Sequence, residues 1–169
     1  MRLIKETLNE ISKNFDDLAE KSIPQINEAS DLIIQSLSGG GKIMFCGNGG
    51  SAADSQHLSA ELVGRYMKNR KPLASIALST DTSVITAISN DFSFDEIFSR
   101  QVESIGNKGD ILYAISTSGL SKNIIAALKI AKSLKIKTIG VTGSNDNKLK
   151  DLCNVVISVP ASRPDRIQE

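Results

Sequence analysis

His57 and Glu61 stand four residues apart in the run Lys42 to Tyr66, KIMFCGNGGSAADSQHLSAELVGRY. If that run is helical, an imidazole and a carboxylate project from one face, one turn above the other. Such a pair can ligate a metal, but His57 is the sole histidine of the chain and a closed zinc site requires more ligands. An ordinary surface pair on a helix is the plain alternative. A second cluster, Ser116-Thr117-Ser118-Gly119-Leu120-Ser121, gathers four hydroxyls around one glycine. Placed between a strand and a helix N-terminus, these residues can supply side-chain and backbone donors to a phosphate without a lysine in the turn. Lys122 follows in the first helical turn, where a cation opposes the helix dipole and sits less awkwardly beside a bound anion. A helix cap alone needs one serine, so four hydroxyls favour a phosphate site.

A third cluster, Gly47-Asn48-Gly49-Gly50-Ser51-Ala52, satisfies G-x-G-x-x-A, and Asp81 lies where a ribose-binding acid is expected. A nicotinamide-binding domain is therefore a competing reading. Against it, 169 residues with two helices before the first strand leave no room for a catalytic domain. A glycine turn that serves only helix packing is as compatible with the pattern. No G-K-[ST] follows, so there is no P-loop.

The elements that must position these clusters are legible from apolar spacing. Leu3, Ile4, Leu8, Ile11, Phe15 and Leu18 keep helical spacing, and Ile26, Ala29, Ile33 and Leu37 do so again between Ile23 and Leu37. Ser22 and Pro24 mark the second helix's start, and Gly39-Gly40-Gly41 ends it. Lys42 to Cys46 reads as a buried strand, the glycine cluster as a loop, and the following segment as a helix capped by Ser51 or Asp54, with Leu58, Leu62 and Tyr66 as its packed stripe. Leu73–Leu78 is a second strand, followed by a short helix ending near Asn90-Asp91 and a helical stretch from Phe94 to Ile105. Strands are predicted at 110–115, 137–141 and 154–159, with helices at 123–134 and 148–152. After each strand comes a cluster of Ser, Thr, Gly, Asn or Asp, the cluster after the fourth being Thr142-Gly143-Ser144-Asn145-Asp146. The alternation predicts an α/β, three-layer αβα sandwich around a parallel sheet of about five strands, in one domain spanning 1–169 and preceded by two N-terminal helices. Open parallel sheets bind ligands at the carboxyl ends of their strands, the edge this chain loads with hydroxyls.

Composition narrows the classes further. Hydrophobic residues at 40% and charged ones at 23% are ordinary for a globular domain with a core, so disorder is excluded. Twenty Lys and Arg against nineteen Asp and Glu leave a net charge of +1 with no long run of either sign, and aromatics are only 4%. A polyanion track or a base-stacking platform is thereby disfavoured, and no nucleic-acid partner is expected. No apolar segment approaches membrane-spanning length, and MRLIKETLNE turns polar before a signal core could form, so a cytoplasmic protein without a membrane partner is expected. Cys46 and Cys153 read as core thiols.

Taken together, CGNGGSAADSQHLSAELVGRY, the Asn90-Asp91 pair, ISTSGLS and the terminal Asp165-Arg166-Ile167-Gln168-Glu169 resemble the sugar isomerase (SIS) family over nearly the whole chain. The resemblance implies an aldose–ketose isomerase acting on a sugar phosphate, sedoheptulose 7-phosphate, on the route to the heptose of bacterial lipopolysaccharide. It implies a homotetramer with sites between subunits. It also assigns roles: Ser51, Ser116, Thr117, Ser118 and Ser121 to the phosphate; Asn48, Gly49, Gly50, Asn90, Asp91 and Gln168 to the sugar chain; Glu61 as general base. His57, Glu61 and Gln168 match positions that bind zinc in some members. The chemistry suits the residue types, since a carboxylate drawn partly out of water on a buried helix is a stronger base for a carbon-bound proton. Non-catalytic members of the same fold, which sense sugar phosphates or associate with a replication initiator, share the CGNG and RIQE regions but lack the glutamate corresponding to Glu61. The family's remaining ligand and acid is a histidine about two turns beyond Gln168. A helix of a few residues from Pro164 is marginal alone, so the resemblance carries the expectation of a longer native chain in which that helix continues.

Overall fold

In the computed structural model, which describes residues 2–144 and 148–169, five parallel strands form one sheet. They are β1 (Ile43–Gly47), β2 (Ser75–Ala77), β3 (Ile111–Ile115), β4 (Lys137–Gly143) and β5 (Val155–Val159), in spatial order β2-β1-β3-β4-β5. The helices are α1 (Arg2–Lys21), α2 (Ile23–Ser38), α3 (Gly50–Val63), α4 (Thr82–Asp91), α5 (Ser99–Ile105), α6 (Lys122–Ser133) and α7 (Pro164–Gln168). Asn145 and Asp146, the end of the polar cluster after β4, lie outside the described residues.

Every residue of β1 is buried because both faces of the sheet are covered, which is why the strand reads as a continuous apolar run. Met44 and Cys46 point to one side with Leu112, Ala114, Phe98, Val102, Ile124 and Leu128, the side of α5 and α6. Ile43 and Phe45 point to the other with Ile111, Ile139 and Val155, where α2 contributes Ala29, Ile33 and Leu37, and α3 contributes Leu62. The chain steps outward from β1 to β2, then returns past β1 to β3, with Met44 in register between Ile76 and Leu112. Strand order therefore reverses between β1 and β3, and the loops leaving those two strands diverge around a crevice at the carboxyl edge. Both candidate ligand loops are these two.

Several boundaries differ from the sequence reading. The helix α3 stops at Val63, so Tyr66 lies outside it and is largely exposed, as in part is Leu58. Its fully buried residues are Ser51, Ser55 and Ser59, and of the expected stripe Leu62 packs on the core. Neither Ser51 nor Asp54 caps it; the N-cap is Gly49. The 94–105 stretch divides into a 3-10 turn at Phe94–Glu96, begun by Ser93 accepting from the Asp95 N–H, and α5. Between them Ile97 and Phe98 insert into the core, and that anchoring breaks the helix. The 148–152 segment is likewise a 3-10 turn, Lys148–Asp151. Cys46 is fully buried and Cys153 half-buried, both free thiols, and burial pushes the Cys153 thiol up to about 12.

Candidate active site

The glycine loop leaves β1 and turns into α3 within three residues. Gly49 has φ +56°, a left-handed conformation that other L-residues adopt only with strain. A Cβ on Gly50 would stand 2.9 Å from Gln168 Oε1, so a larger residue here would push the Gln168 amide out of its present place. Ser51, 3% exposed, donates its hydroxyl to Gln168 Oε1 at 3.1 Å, and Gln168 Nε2 donates to Asp54. Burial pushes the Asp54 carboxyl above its ordinary range, opposed by the Gln168 amide and by nearby His57. Gln168 is thus held between two α3 side chains. Within α7 the nearly buried Arg166 side chain bridges Asp165 and Glu169, and Ile167 packs beside Gly143 at the end of β4. The sequence reading left α7 with nothing to hold it; tertiary contacts supply what its length does not.

The hydroxyl loop follows β3. Ser116 is buried, and its hydroxyl lies 3.1 Å from that of Ser121, close enough to share a hydrogen bond. Ser121 is the N-cap of α6, yet its side chain makes no capping bond. Its hydroxyl faces Ser116 rather than the helix end, so the plain-cap reading of this serine does not hold. Ser118 Oγ accepts from the Leu120 N–H at 3.2 Å, and the Thr117 carbonyl accepts from the Gly143 N–H at 3.1 Å, tying the loop to the end of β4. The two loops are joined by Asn48 and Asn123, whose carboxamides exchange hydrogen bonds, each 2.9 Å.

Further along α3 the site opens. His57 Nε2 lies 3.9 Å from Glu61 Oε1, with their side chains 73% and 33% exposed. The burial expected for Glu61 is thus incomplete within this chain. Arg70 braces the helix end: its guanidinium donates to the carbonyls of Leu62 and Glu61, each at 2.8 Å. Ser51 and Glu61 are separated by about 15 Å along the helix axis. His57, Asp54 and Gln168 line a cavity of about 300 Å³ with Phe15 and Leu18 of α1 and Ile115 of β3, whereas Glu61 lines a separate groove with Tyr66 and Arg70. Asn90 and Asp91 lie exposed at the end of α4, bonded to each other at 2.8 Å. Among the described residues no hydrogen bond brings them to either loop. Asp81, the candidate ribose acid, caps α4 by accepting from the Val84 N–H at 3.0 Å, a structural use that weakens the nicotinamide reading.

For zinc, His57 and Glu61 offer two donors on one face. The Gln168 amide oxygen faces the Ser51 hydroxyl, and among the described residues no three His, Cys, Asp or Glu side chains converge. This donor set does not fit a closed zinc site, which takes four ligands. Two residues that matter here escaped the sequence reading, Arg70 and Asn123, and Asp54 entered it only as a possible helix cap. Only Asp54 had a usable signal, its place one turn before His57 on the same face.

The strand order makes this a doubly wound α/β domain with a hydroxyl loop at its switch point, and the family profile described as "SIS domain" matches residues 7–143, so the chain belongs to the SIS-domain family. Within it, the chain is similar to phosphoheptose isomerases. That of Helicobacter hepaticus is 53% identical over 146 residues, 86% of this chain and 74% of the relative. That of Nitratiruptor sp. is 50% identical over 166 residues, covering 98% and 89% respectively. The solved phosphoheptose isomerase of Neisseria gonorrhoeae superposes with a TM-score of 0.92 at 39% identity, over 99% of this chain and 89% of that one. That of Francisella tularensis gives 0.94 at 34%, with the same coverage. No described helix is long and apolar enough to cross a membrane.

Proposed function

We propose that this chain interconverts sedoheptulose 7-phosphate and D-glycero-D-manno-heptose 7-phosphate, supplying heptose for lipopolysaccharide. The observation that carries the reading is the co-occurrence, in a chain about half identical to phosphoheptose isomerases, of a self-bonded hydroxyl loop and a carboxylate at position 61. The phosphate is received by Ser51, Ser116, Thr117, Ser118 and Ser121, at the N-termini of α3 and α6, where free backbone N–H groups and helix dipoles favour an anion. Asn48, Gly49, Gly50 and Gln168 lie next along the sugar chain, with Asn90 and Asp91 meeting it from α4. Glu61 removes a proton from C1 of the open ketose while O2 takes up a proton, giving an enediol; the proton is then returned at C2 as O1 gives up its own, leaving the aldehyde at C1. The separation of Ser51 from Glu61 suits a ligand held by its phosphate at one end and reacting at the other.

The reading includes a homotetramer in the cytoplasm. Leu3, Ile4 and Leu8 on α1 and Ile34 on α2 are each at least 60% exposed, an apolar surface that self-association would cover. Light scattering is expected to return a tetramer, and a monomer at micromolar concentration would overturn this part. The activity itself is tested by a coupled assay with sedoheptulose 7-phosphate. Turnover is expected; binding of the sugar phosphate with no turnover would identify a non-catalytic member of the family.

A further inference from the structure

We propose that Asn123 is a positioning residue that sets Asn48 against the substrate and fixes the spacing between the two ligand loops. The inference rests on reading those loops as the substrate site. Asn123 is 2% exposed and sits in the first turn of α6, immediately after the hydroxyl loop. Its Oδ1 accepts from the N–H of Ile124 at 2.9 Å and from Asn48 Nδ2 at 2.9 Å, while its Nδ2 donates to Asn48 Oδ1 at 2.9 Å.

The Ile124 contact decides the orientation of both amides. A backbone N–H must meet oxygen, so Asn123 cannot be flipped, and its partner must then present nitrogen to that oxygen and oxygen to that nitrogen. Among the described residues Asn48 is left with one N–H and one oxygen lone pair unused, in fixed positions at the mouth of the crevice between β1 and β3. Because Asn123 is built into α6 and Asn48 into the glycine loop, the pair also works as a tie bar. It spans the point where strand order reverses, and it sets how far the hydroxyl loop stands from the residues that meet the sugar chain. A ligand holding both ends depends on that spacing. Inorganic phosphate feels it only through Ser51, and it lacks the sugar chain that Asn48 meets.

The difference provides the test. Calorimetry would give dissociation constants for sedoheptulose 7-phosphate and for inorganic phosphate in the wild type, Asn123→Ala, Asn123→Asp, Asn48→Ala and the double alanine variant. The ratio of the sugar-phosphate constant to the phosphate constant is expected to rise about tenfold in Asn123→Ala, the scale of one or two hydrogen bonds. It should rise less in Asn123→Asp, which keeps the Ile124 contact and one bond to Asn48. Should the alanine variant not fold, the aspartate variant carries the test, and the ratio cancels the effect of its added charge on phosphate. The double variant should be no worse than Asn48→Ala, since Asn123 acts through Asn48. An unchanged ratio in the folded variants, or losses that add, would overturn the proposal. Because the readout is binding, a wild type that binds the sugar phosphate without turning it over sinks the isomerase reading and leaves this one standing.

Discussion

The two ends of the candidate site are built to different degrees of completion. At the phosphate end, Ser51 and Ser116 are buried, Ser116 and Ser121 share a hydrogen bond, and the two loops are tied through Asn48 and Asn123. At the reacting end, His57 and Glu61 stand 3.9 Å apart with much of their surface in solvent, and Arg70 and Ser75 brace the backbone beneath them through the Glu61, Leu62 and Ser59 carbonyls. A single chain thus preorganises the candidate phosphate loops and leaves the candidate proton-transferring groups open. Anion recognition needs only helix N-termini and hydroxyls, which one sheet edge provides. A general base needs exclusion of water, which further packed surface must supply.

The sharpest way to break this comparison is to remove the base alone. Glu61→Gln keeps shape and is expected to lower kcat by roughly 100-fold or more while the Kd for the sugar phosphate stays within a few-fold. Near-normal turnover would mean that another group takes the proton. At the other end, Ser121→Ala removes one donor, and a hydrogen bond to a charged group contributes about 1 to 3 kcal/mol. The Kd for sugar phosphate and for inorganic phosphate should both rise by about tenfold with the melting temperature little changed; equal affinities for the two proteins by calorimetry would remove Ser121 from the phosphate site. Arg70→Met should cost a few-fold in kcat and leave phosphate inhibition intact, because it loosens only the reacting end of α3. If phosphate inhibition weakened as well, the two ends would not be independent.

The smallest effect on turnover is expected at a place belonging to neither end. Burial tends to raise the Asp110 carboxyl, but the Lys42 ammonium at 2.5 Å and the backbone N–H groups of Lys42 and Asn107 outweigh it and hold the carboxyl below its ordinary range. The contribution to stability is therefore present above the unfolded-state pKa, about 3.9, and is lost as pH falls through the lower folded value. Acid-unfolding curves should show this slope in the wild type and lose it in Asp110→Asn, with kcat at neutral pH unaffected. An unchanged acid limb would remove the assignment.

Much of the scaffold was legible because it follows hydrophobic periodicity. The runs IMFC and ILYAI are apolar throughout and are strands buried on both faces, and the hydroxyl count in STSGLS marked the loop proposed here for the phosphate. The packing of α3 was only partly legible. Hydrophobic spacing favoured Leu58, Leu62 and Tyr66, of which Leu62 packs on the core, while the fully buried face is Ser51, Ser55 and Ser59, since the residues nearest the sheet must be small for the backbones to approach. A pattern search for apolar stripes cannot see a stripe of serines. Asn123 was missed for a related reason: a single amide in a helix has no periodicity, and its importance arises from a partner 75 positions away. The anchoring of α7 was hidden likewise, because Gln168 meets Asp54 and Ser51 only once the fold exists.

The serine face of α3 has one more effect, on how the domain tolerates change. Ser55 satisfies its hydroxyl on the Ser51 carbonyl at 2.8 Å, and Ser59 meets Ser75 of β2 at 3.0 Å, so the helix lies against the sheet with no thickness of side chain to give way. A soft apolar contact would absorb an added methylene by shifting rotamers; this one has none to shift. Enlarging Ser55 to valine would lift α3 as a rigid rod, and the displacement would reach His57 and Glu61 undiminished. Random mutagenesis scored by turnover should therefore find Ser55 among the least permissive positions of the chain, although it touches no ligand.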